Sequence, residues 1–154
     1  MSKTPRYSRI PTEAELESFT GMHCARLYRA ADDSGWRCPS CGRSARELVR
    51  WTDIRGPSWR RRFADEHGMG FTVVLTNHHC HGTGRFPKTL ICGDCNAADG
   101  AAKRKLKLPS DWSFSPAEIG RFVQVRAYSG ATTIDYDLAR SIYSVGRSVD
   151  RDPV

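Results

Sequence analysis

Two cysteine pairs, each with a two-residue spacer, constrain the fold of this chain more than any other feature. The first pair is Cys38 and Cys41 in the sequence CPSC, and the second is Cys92 and Cys95 in CGDC. Four thiolates complete a tetrahedral shell for a structural zinc ion, and the spacer lets both sulfurs of a pair reach the same ion. The gap between the pairs is longer than in a minimal zinc knuckle. The intervening segment must therefore carry structure of its own.

The segment from Phe71 to Asn96 predicts a strand, a histidine loop, a second strand, a turn and a helix. Residues 71–76 alternate with the period of a half-buried strand and lead into the loop NHHCH at 77–81. Two glycines follow and permit a tight reversal. Arg85 to Ile91 is then predicted to return as a strand, with Pro87 at an edge or bulge because proline donates no ladder hydrogen bond.

The sequences HHCHGTGR at 78–85 and LICGDCN at 90–96 resemble those of the HNH, or ββα-metal, endonucleases. The resemblance is to the treble-clef branch that includes the endonuclease VII type, and it covers residues 36–108. It implies an α+β fold with a small ββα-metal (treble-clef) core and a structural zinc. Helices N-terminal and C-terminal to this core would flank it.

The same resemblance implies the residues of the active site. His79 matches the catalytic histidine of the family, and His78 and Asn96 match the two ligands of its catalytic divalent cation. Many family members have aspartate at the position of His78. An imidazole ligand there favours Mn²⁺ beside the usual Mg²⁺. His81 could assist at phosphate or metal, or serve only hydrogen bonding within the loop, and Cys80 is equally open.

The charge of the chain favours a polyanionic partner. Lys and Arg number 24 against 17 acidic residues, giving a formal net charge of +7 and a pI near 9.3. Together with the resemblance, this predicts double-stranded DNA as the substrate. The basic residues predicted to contact it are Arg60, Arg61, Arg62, Arg85, Lys103, Arg104 and Lys105.

Two interpretations of the segment around the three consecutive arginines remain open. Trp59 and Phe63 flank these arginines, a pattern that suits an element contacting phosphates or a groove. A solvated helix with both aromatic side chains packed inward explains the same residues.

The length of 154 residues suits one folded unit with a modest core. We divide it into an N-terminal arm and helix at 1–35, the zinc-stabilised core at 36–108 and a C-terminal helical extension at 109–154. Residues 1–10 are predicted to be a loose arm, and 44–51 could form a short helix or a strand. The tail from residue 147 is predicted to fray.

Helix-capping signals predict the flanking helices. Thr12 and Glu15 form a capping box for a helix from Glu13 to about Ala31. Its predicted inner stripe consists of Leu16, Phe19, His23, Leu27 and Ala30, with His23 as a hydrogen-bonded core histidine rather than a ligand.

Two further helices are predicted near the C-terminus. The first is capped by Ser115, with Pro116 and Glu118 in its first turn. The second is capped by Asp135 and ends at Gly146, with Leu138, Ala139, Ile142 and Tyr143 facing inward.

The sequence also bears on the cellular compartment. No apolar stretch approaches the roughly 20 residues needed to span a bilayer, and the first residues lack an apolar signal core. We therefore expect an intracellular, cytoplasmic protein without a membrane partner. In a reducing compartment the paired cysteines are expected to bind metal rather than form disulfides, and Cys24 to be a small buried side chain.

These observations predict a metal-dependent DNA endonuclease, of a sequence-specific restriction type that cuts as a homodimer. A structure-specific, phage-type or nicking HNH nuclease is the first alternative. A zinc-dependent DNA-binding module without catalysis is the second. A redox protein is disfavoured because neither cysteine pair lies at the start of a helix within a βαβ unit.

Overall fold

The computed structural model describes residues 9–82 and 84–149. The arm predicted for residues 1–10 lies almost entirely outside this range, as does the end of the predicted tail. Within the described residues the fold is mixed α+β, as predicted, with short helices and small two-stranded sheets. None of the helices in this part of the chain is both long and apolar enough to cross a bilayer.

The chain divides into two compact units, each interleaved in sequence. The described residues of the first unit are 9–38, 42–75 and 125–131. Those of the second unit are 39–41, 76–82, 84–124 and 132–149.

The first unit begins with two helices where the sequence predicted one. Helix α1 spans Glu13–Ser18 and starts with the predicted capping box of Thr12 and Glu15. Helix α2 spans Ala25–Ser34 and ends at Gly35 in the left-handed conformation. Gly21, at φ +88°, separates them, and a Cβ there would lie 2.8 Å from the Cβ of Tyr28. A left-handed glycine interrupts the helix, and no other residue would fit so close to Tyr28.

This break changes which residues face inward, so the predicted inner stripe is wrong. His23, Leu27 and Ala30 are exposed, whereas Tyr28 and Ala31 are buried. Leu16, on the separate helix α1, and Phe19, the C-cap residue of α1, are half-buried. Because α2 starts anew at Ala25, its helical phase no longer follows from that of α1. His23 is therefore not a core histidine, and its ring lies against that of Trp59 at 5.9 Å between centroids.

A two-stranded antiparallel sheet forms the rest of the first unit. Strand β1 spans Arg50–Asp53 and pairs with β2, Met69–Thr72, and helix α3, Pro57–Phe63, connects them. A single 3-10 turn at Arg46–Leu48 precedes β1. The undecided segment 44–51 therefore contains both a helical turn and the start of a strand.

The predicted strand over 71–76 is broken in the structure. Strand β2 ends at Thr72, and β3 begins at Leu75 and ends at His78. Val73 is fully buried and Val74 is 36% exposed, but neither belongs to a strand. The two halves pair with different partners, β2 with β1 and β3 with β4, and the break lets the chain leave one sheet for the next.

The second unit contains the remaining elements. Strand β4 spans Thr89–Cys92, shorter than the strand predicted from Arg85, and runs directly into helix α4, Gly93–Leu106. Helix α5 spans Pro116–Phe122 and starts with the predicted capping box of Ser115 and Glu118. Strands β5, Val123–Val125, and β6, Thr132–Ile134, then lead to helix α6, Tyr136–Val149.

The last helix is capped as predicted but ends later. The Asp135 carboxylate accepts the backbone N–H of Leu138 at 3.0 Å, which confirms the cap, and Ala139 and Ile142 are buried. Gly146 does not end α6, because the helix continues through Val149. A Cβ at Gly146 would lie 3.0 Å from an Nη atom of Arg85 and 3.5 Å from the ring of Trp112, so the side chains of the second unit pack closely against this glycine.

Aromatic side chains fill the core of the second unit. The ring of Phe114 lies 4.5 Å from that of Trp112 and 4.8 Å from that of Phe122, both edge to face. Trp112 also contacts Tyr143 on α6 at 4.8 Å between ring centroids. This cluster fixes the irregular segment after α4 against the two C-terminal helices, and it thereby positions the Phe114 backbone.

Tyr28 provides a test of the first unit. It is only 2% exposed, and its hydroxyl has no hydrogen-bond partner among the described residues. Burial, followed by the charge of Asp32, raises the pKa of Tyr28 from 10.0 to about 12. The folded chain holds this proton more tightly than the unfolded chain. The free energy of unfolding should therefore fall as pH rises from about 10 to 12.

We predict that Tyr28→Phe removes this fall and leaves stability at pH 7 unchanged or higher by about 1 kcal/mol. Urea denaturation of both proteins at pH 7 and across pH 10 to 12 measures both effects. Tyr136→Phe, at a half-buried tyrosine, is the control and should keep the high-pH loss. A clear loss of stability at pH 7 in Tyr28→Phe would contradict the prediction.

Candidate metal centre and histidine loop

The four cysteines of the two CxxC pairs lie together and can hold a metal ion such as zinc. The sulfurs of Cys38, Cys41, Cys92 and Cys95 all lie within 4.8 Å of one another, and those of Cys41 and Cys92 are 3.9 Å apart. A tetrahedral zinc site with Zn–S bonds of about 2.3 Å places its sulfurs about 3.8 Å apart. The observed cluster fits this size. With four thiolates such a site is closed, so its contribution is to folding rather than to catalysis.

Local backbone geometry shapes the first pair. The N–H of Cys38 donates to the carbonyl of Arg43 at 2.9 Å, and the N–H of Gly42 donates to the carbonyl of Cys38 at 2.8 Å. Gly42 lies in the left-handed region at φ +77°, which glycine adopts without steric cost. The CPSCG sequence is thus a tight turn that presents its sulfurs on one side.

The second pair begins helix α4. Cys92 is the N-cap residue, and its sulfur accepts the backbone N–H of Cys95 at 3.4 Å. A helix N-terminus carries partial positive charge, which favours the thiolate form that binds metal. Asn96 follows directly in the same first turn. The cysteine turn therefore fixes the position of Asn96.

His78 is the last residue of β3 and is buried, with 3% of its surface exposed. Its Nε2 lies 2.7 Å from the carbonyl oxygen of Phe114. A carbonyl can only accept, so Nε2 carries the proton and, in the neutral ring, Nδ1 carries the lone pair. Metal-binding histidines are commonly oriented by such a hydrogen bond from the other ring nitrogen to a backbone carbonyl.

Nδ1 of His78 faces the side-chain oxygen of Asn96 at 3.1 Å. Two lone pairs facing each other repel, so this pair needs a cation between them, a proton on Nδ1, or a rotated amide that donates from its nitrogen. Adjacent ligands of an octahedral cation with bonds of 2.0–2.1 Å lie about 3 Å apart. The separation of 3.1 Å is thus compatible with a hydrogen bond between the two side chains and with two adjacent ligands of one divalent cation.

His79 follows on the outside of the loop. Its side chain is exposed, and its Nδ1 lies 3.3 Å from the carbonyl oxygen of Asn77, to which it donates. Nε2 is then the basic nitrogen of the neutral ring, on the solvent side. The ring of His81 lies 4.4 Å from that of His79, so both histidines share one face of the loop.

Asp99 is a residue of this site that our sequence analysis missed. It is buried on α4, and its Oδ1 accepts the backbone N–H of Phe114 at 2.8 Å. Burial raises its pKa, while the Phe114 hydrogen bond and Lys103 oppose that shift. Phe114 thus binds Asp99 through its N–H and His78 through its carbonyl. An acidic residue three positions after Asn96, on the same helical face, was the available signal.

Arg85, which was predicted to contact DNA, directs its guanidinium to partners within the protein. Its side chain is 13% exposed, forms an ion pair with Glu118 at 3.1 Å and donates to the carbonyl of Ser113 at 2.8 Å. Its guanidinium also lies over the ring of Trp112, 4.3 Å from the centroid. These contacts hold the guanidinium inside the second unit, and its role at DNA stays a prediction.

The other basic residues lie on the surface of two helices. Arg60, Arg61 and Arg62 are exposed on α3, where Trp59 and Phe63 are half-buried and stack at 5.5 Å between ring centroids. This arrangement is compatible with both interpretations of the segment, because the aromatic rings face inward while the arginines face solvent.

The three basic residues on α4 that were predicted to contact DNA differ in their exposure and in their contacts. Lys103 is half-buried and donates to the hydroxyl of Ser113 at 3.0 Å. Arg104 and Lys105 are exposed, and the Lys105 ammonium lies 5.9 Å from the ring centre of Tyr136.

The chain matches no protein-family model, no curated protein and no solved structure. Two arrangements of residues bear on the function: the four-cysteine cluster and the histidine loop with Asn96.

The cysteine cluster predicts one bound zinc ion per chain. Cys95→Ser should lose the zinc and much of the folded structure, because the thiolates bind an ion that holds two distant segments together. Cys24→Ser, at a half-buried cysteine outside the cluster, is the matched control and should retain both. Elemental analysis and circular dichroism of the purified proteins measure the outcome. A Cys95→Ser protein with a full complement of zinc would exclude Cys95 as a ligand.

Asp99 provides a second test. Asp99→Ala leaves the buried N–H of Phe114 without its acceptor, which should lower the free energy of unfolding by about 1–3 kcal/mol. Asp99→Asn keeps an acceptor oxygen and removes a poorly hydrated charge, so it should stay within about 1 kcal/mol of wild type. Urea denaturation of the zinc-loaded proteins compares them. Equal losses in both variants would show that Asp99 contributes charge rather than this hydrogen bond.

Proposed function

We propose that this chain is a metal-dependent DNA endonuclease of the HNH type. The observation that carries the proposal is the facing pair of His78 Nδ1 and Asn96 Oδ1 at 3.1 Å, beside the exposed imidazole of His79. The order of β3, the histidine loop, β4 and α4 agrees with a ββα-metal core. The finer treble-clef architecture and the zinc at the four cysteines belong to the same proposal.

His78 and Asn96 are the proposed ligands of the catalytic cation, Mg²⁺ or Mn²⁺. Such a cation supplies positive charge to the scissile phosphate and to the leaving oxygen. The chain prepares this site in advance, because the Phe114 carbonyl fixes the His78 ring and the cysteine turn fixes Asn96. Pre-set ligands need little reorganisation when substrate binds.

His79 is the proposed general base. Hydrolysis of a phosphodiester requires a group that removes a proton from the attacking water, and the Nε2 of a neutral imidazole is suited to this near pH 7. The hydrogen bond from Nδ1 to Asn77 favours that tautomer. His79 directly follows His78 in the chain, and we propose that base and cation act on the same phosphate.

Double-stranded DNA is the proposed substrate, in line with the net charge of +7. A sequence-specific enzyme that cuts both strands would act as a homodimer with one active site per strand. A structure-specific or nicking nuclease uses the same catalytic residues and remains an outcome of the test. A DNA-binding module without catalysis would keep the cysteine cluster and the charge but would not depend on His79.

The first prediction of this proposal concerns cleavage. Supercoiled plasmid and linear phage DNA incubated with the zinc-loaded protein should be cut when Mg²⁺ or Mn²⁺ is added, and left intact without added cation. His79→Ala should lower the rate by about 10²–10⁴-fold, because it removes the base. It should leave the zinc content and DNA binding near wild type. His67→Ala, at an exposed histidine of the first unit, is the control.

The products distinguish the alternatives. Discrete bands indicate a site-specific enzyme, and nicked circles or smears indicate a less specific one. Asn96→Ala should raise the cation concentration that gives half-maximal cutting, and an unchanged requirement would remove Asn96 from the cation site. DNA binding without cutting under any cation would replace the nuclease by the binding module.

A further inference from the structure

A basic cavity of about 570 Å³ opens beside the histidine loop in the second unit. Its charged lining comes from Lys103, Arg104 and Lys107, at the C-terminal end of α4. His81 of the histidine loop and the polar residue Ser110 also line it. No carboxylate appears among the described residues that line it.

The helical phase of α4 and its C-cap explain why these three cations converge. Residues 100, 103 and 104 repeat at the spacing of one helical face, and Lys107, the left-handed C-cap residue of α4, also lines the cavity. Gly100 leaves this face open, and a Cβ there would lie 3.2 Å from an Nη atom of Arg104. Lys105 points elsewhere, toward Tyr136, and does not line the cavity. The basic run KRKLK therefore divides between two surfaces.

The Lys103 ammonium is the part of the cavity's positive charge that contacts within the protein hold in place. Lys103 is 16% exposed, donates to the hydroxyl of Ser113 and lies 3.8 Å from the carboxylate of Asp99. That carboxylate offsets part of its charge. Arg104 and Lys107 are exposed and provide the remaining positive charge of the cavity lining. Cations at a helix C-terminus also interact favourably with the helix dipole, but this accounts equally for Lys105 and does not explain a cavity.

His81 connects the cavity to the catalytic residues. Its ring lines the cavity and lies 4.4 Å from the ring of His79. An anion bound in the cavity would thus lie beside the phosphate on which His79 acts. A nucleic-acid strand carries successive phosphates along its backbone, which is the kind of ligand that places two anions side by side.

We infer that this cavity binds a backbone phosphate of the nucleic-acid strand next to the one that is cleaved. Arg104 and Lys107 contact that phosphate, Lys103 supports it from the cavity wall and His81 lies between the two phosphates. The identity of the neighbouring phosphate as the scissile one rests on the proposed nuclease function. Binding of a backbone phosphate in the cavity does not.

The test measures the salt dependence of DNA binding by zinc-loaded protein without added Mg²⁺ or Mn²⁺. Binding weakens as salt increases, and each phosphate contact adds about 0.9 to the magnitude of the negative slope of log K against log salt concentration. Arg104→Ala should lower the magnitude of this slope by about 0.9. Arg140→Ala, at an exposed arginine on α6 that does not line the cavity, is the control and should leave it unchanged. Fluorescence anisotropy with a labelled duplex from low to moderate salt gives the slopes.

Lys107→Gly is the second variant. Lys107 has a left-handed backbone at φ +54°, which glycine adopts without strain, so this change removes the charge and preserves the helix end. It should lower the slope as Arg104→Ala does. Unchanged slopes in both cavity variants, or an equal decrease in Arg140→Ala, would overturn the inference.

Cleavage assays on the same proteins separate this inference from the nuclease proposal. If the slope is smaller in the two cavity variants and the wild type does not cleave DNA, phosphate binding in the cavity is supported and the nuclease function is rejected. If the wild type cleaves DNA and the slopes of the variants are unchanged, phosphate binding in the cavity is rejected and the nuclease function stands. If both hold, Arg104→Ala should also cut more slowly at moderate salt.

Discussion

The first turn of α4 is the constraint on which the proposed site depends. Cys92 caps this helix through its sulfur, Cys95 contributes a second sulfur to the four-cysteine cluster, and Asn96 follows at once. A thiolate at a helix N-terminus is favoured by the same partial positive charge that favours any anion there. Metal binding and helix capping therefore support each other. Because Asn96 lies in the same turn, the interactions that hold the cysteines also position the Asn96 backbone.

The backbone of Phe114 is the second fixed point. Its N–H and its carbonyl are both buried and both bound by side chains, the first by Asp99 and the second by His78. Buried backbone groups outside regular structure need such partners, because an unmet hydrogen bond costs about 1–3 kcal/mol. Asn96 and Asp99 are one turn apart on α4. The helix thus contacts His78 directly through Asn96 and indirectly through Asp99 and Phe114.

Local signals in the sequence predicted much of the fold. The capping residues Thr12, Ser115 and Asp135 each start a helix where expected, because a side chain that caps a helix does so through neighbours in the chain. The cysteine pairs were recognised from their spacing for the same reason. Periodicity failed where the backbone changes direction. Neither the left-handed Gly21 nor the break at residues 73–74 alters the pattern of apolar residues, yet each starts a new element.

The remainder of the site depends on contacts that no local pattern contains. His78 and Phe114 lie 36 positions apart, and the hydrogen bond between them appears only when the aromatic cluster around Phe114 has packed. Charge presents a similar difficulty. In the sequence, residues 103–107 form one basic run, but a helix turns by about 100° per residue and directs Lys105 away from Arg104. Lys107, in the left-handed cap of the helix, lines the same cavity as Arg104. The electrostatic field that a bound anion experiences depends on which basic side chains lie on the same face as the anion. A count of basic residues therefore overstates the charge on any one face of α4, whereas the helical phase identifies which cations act together.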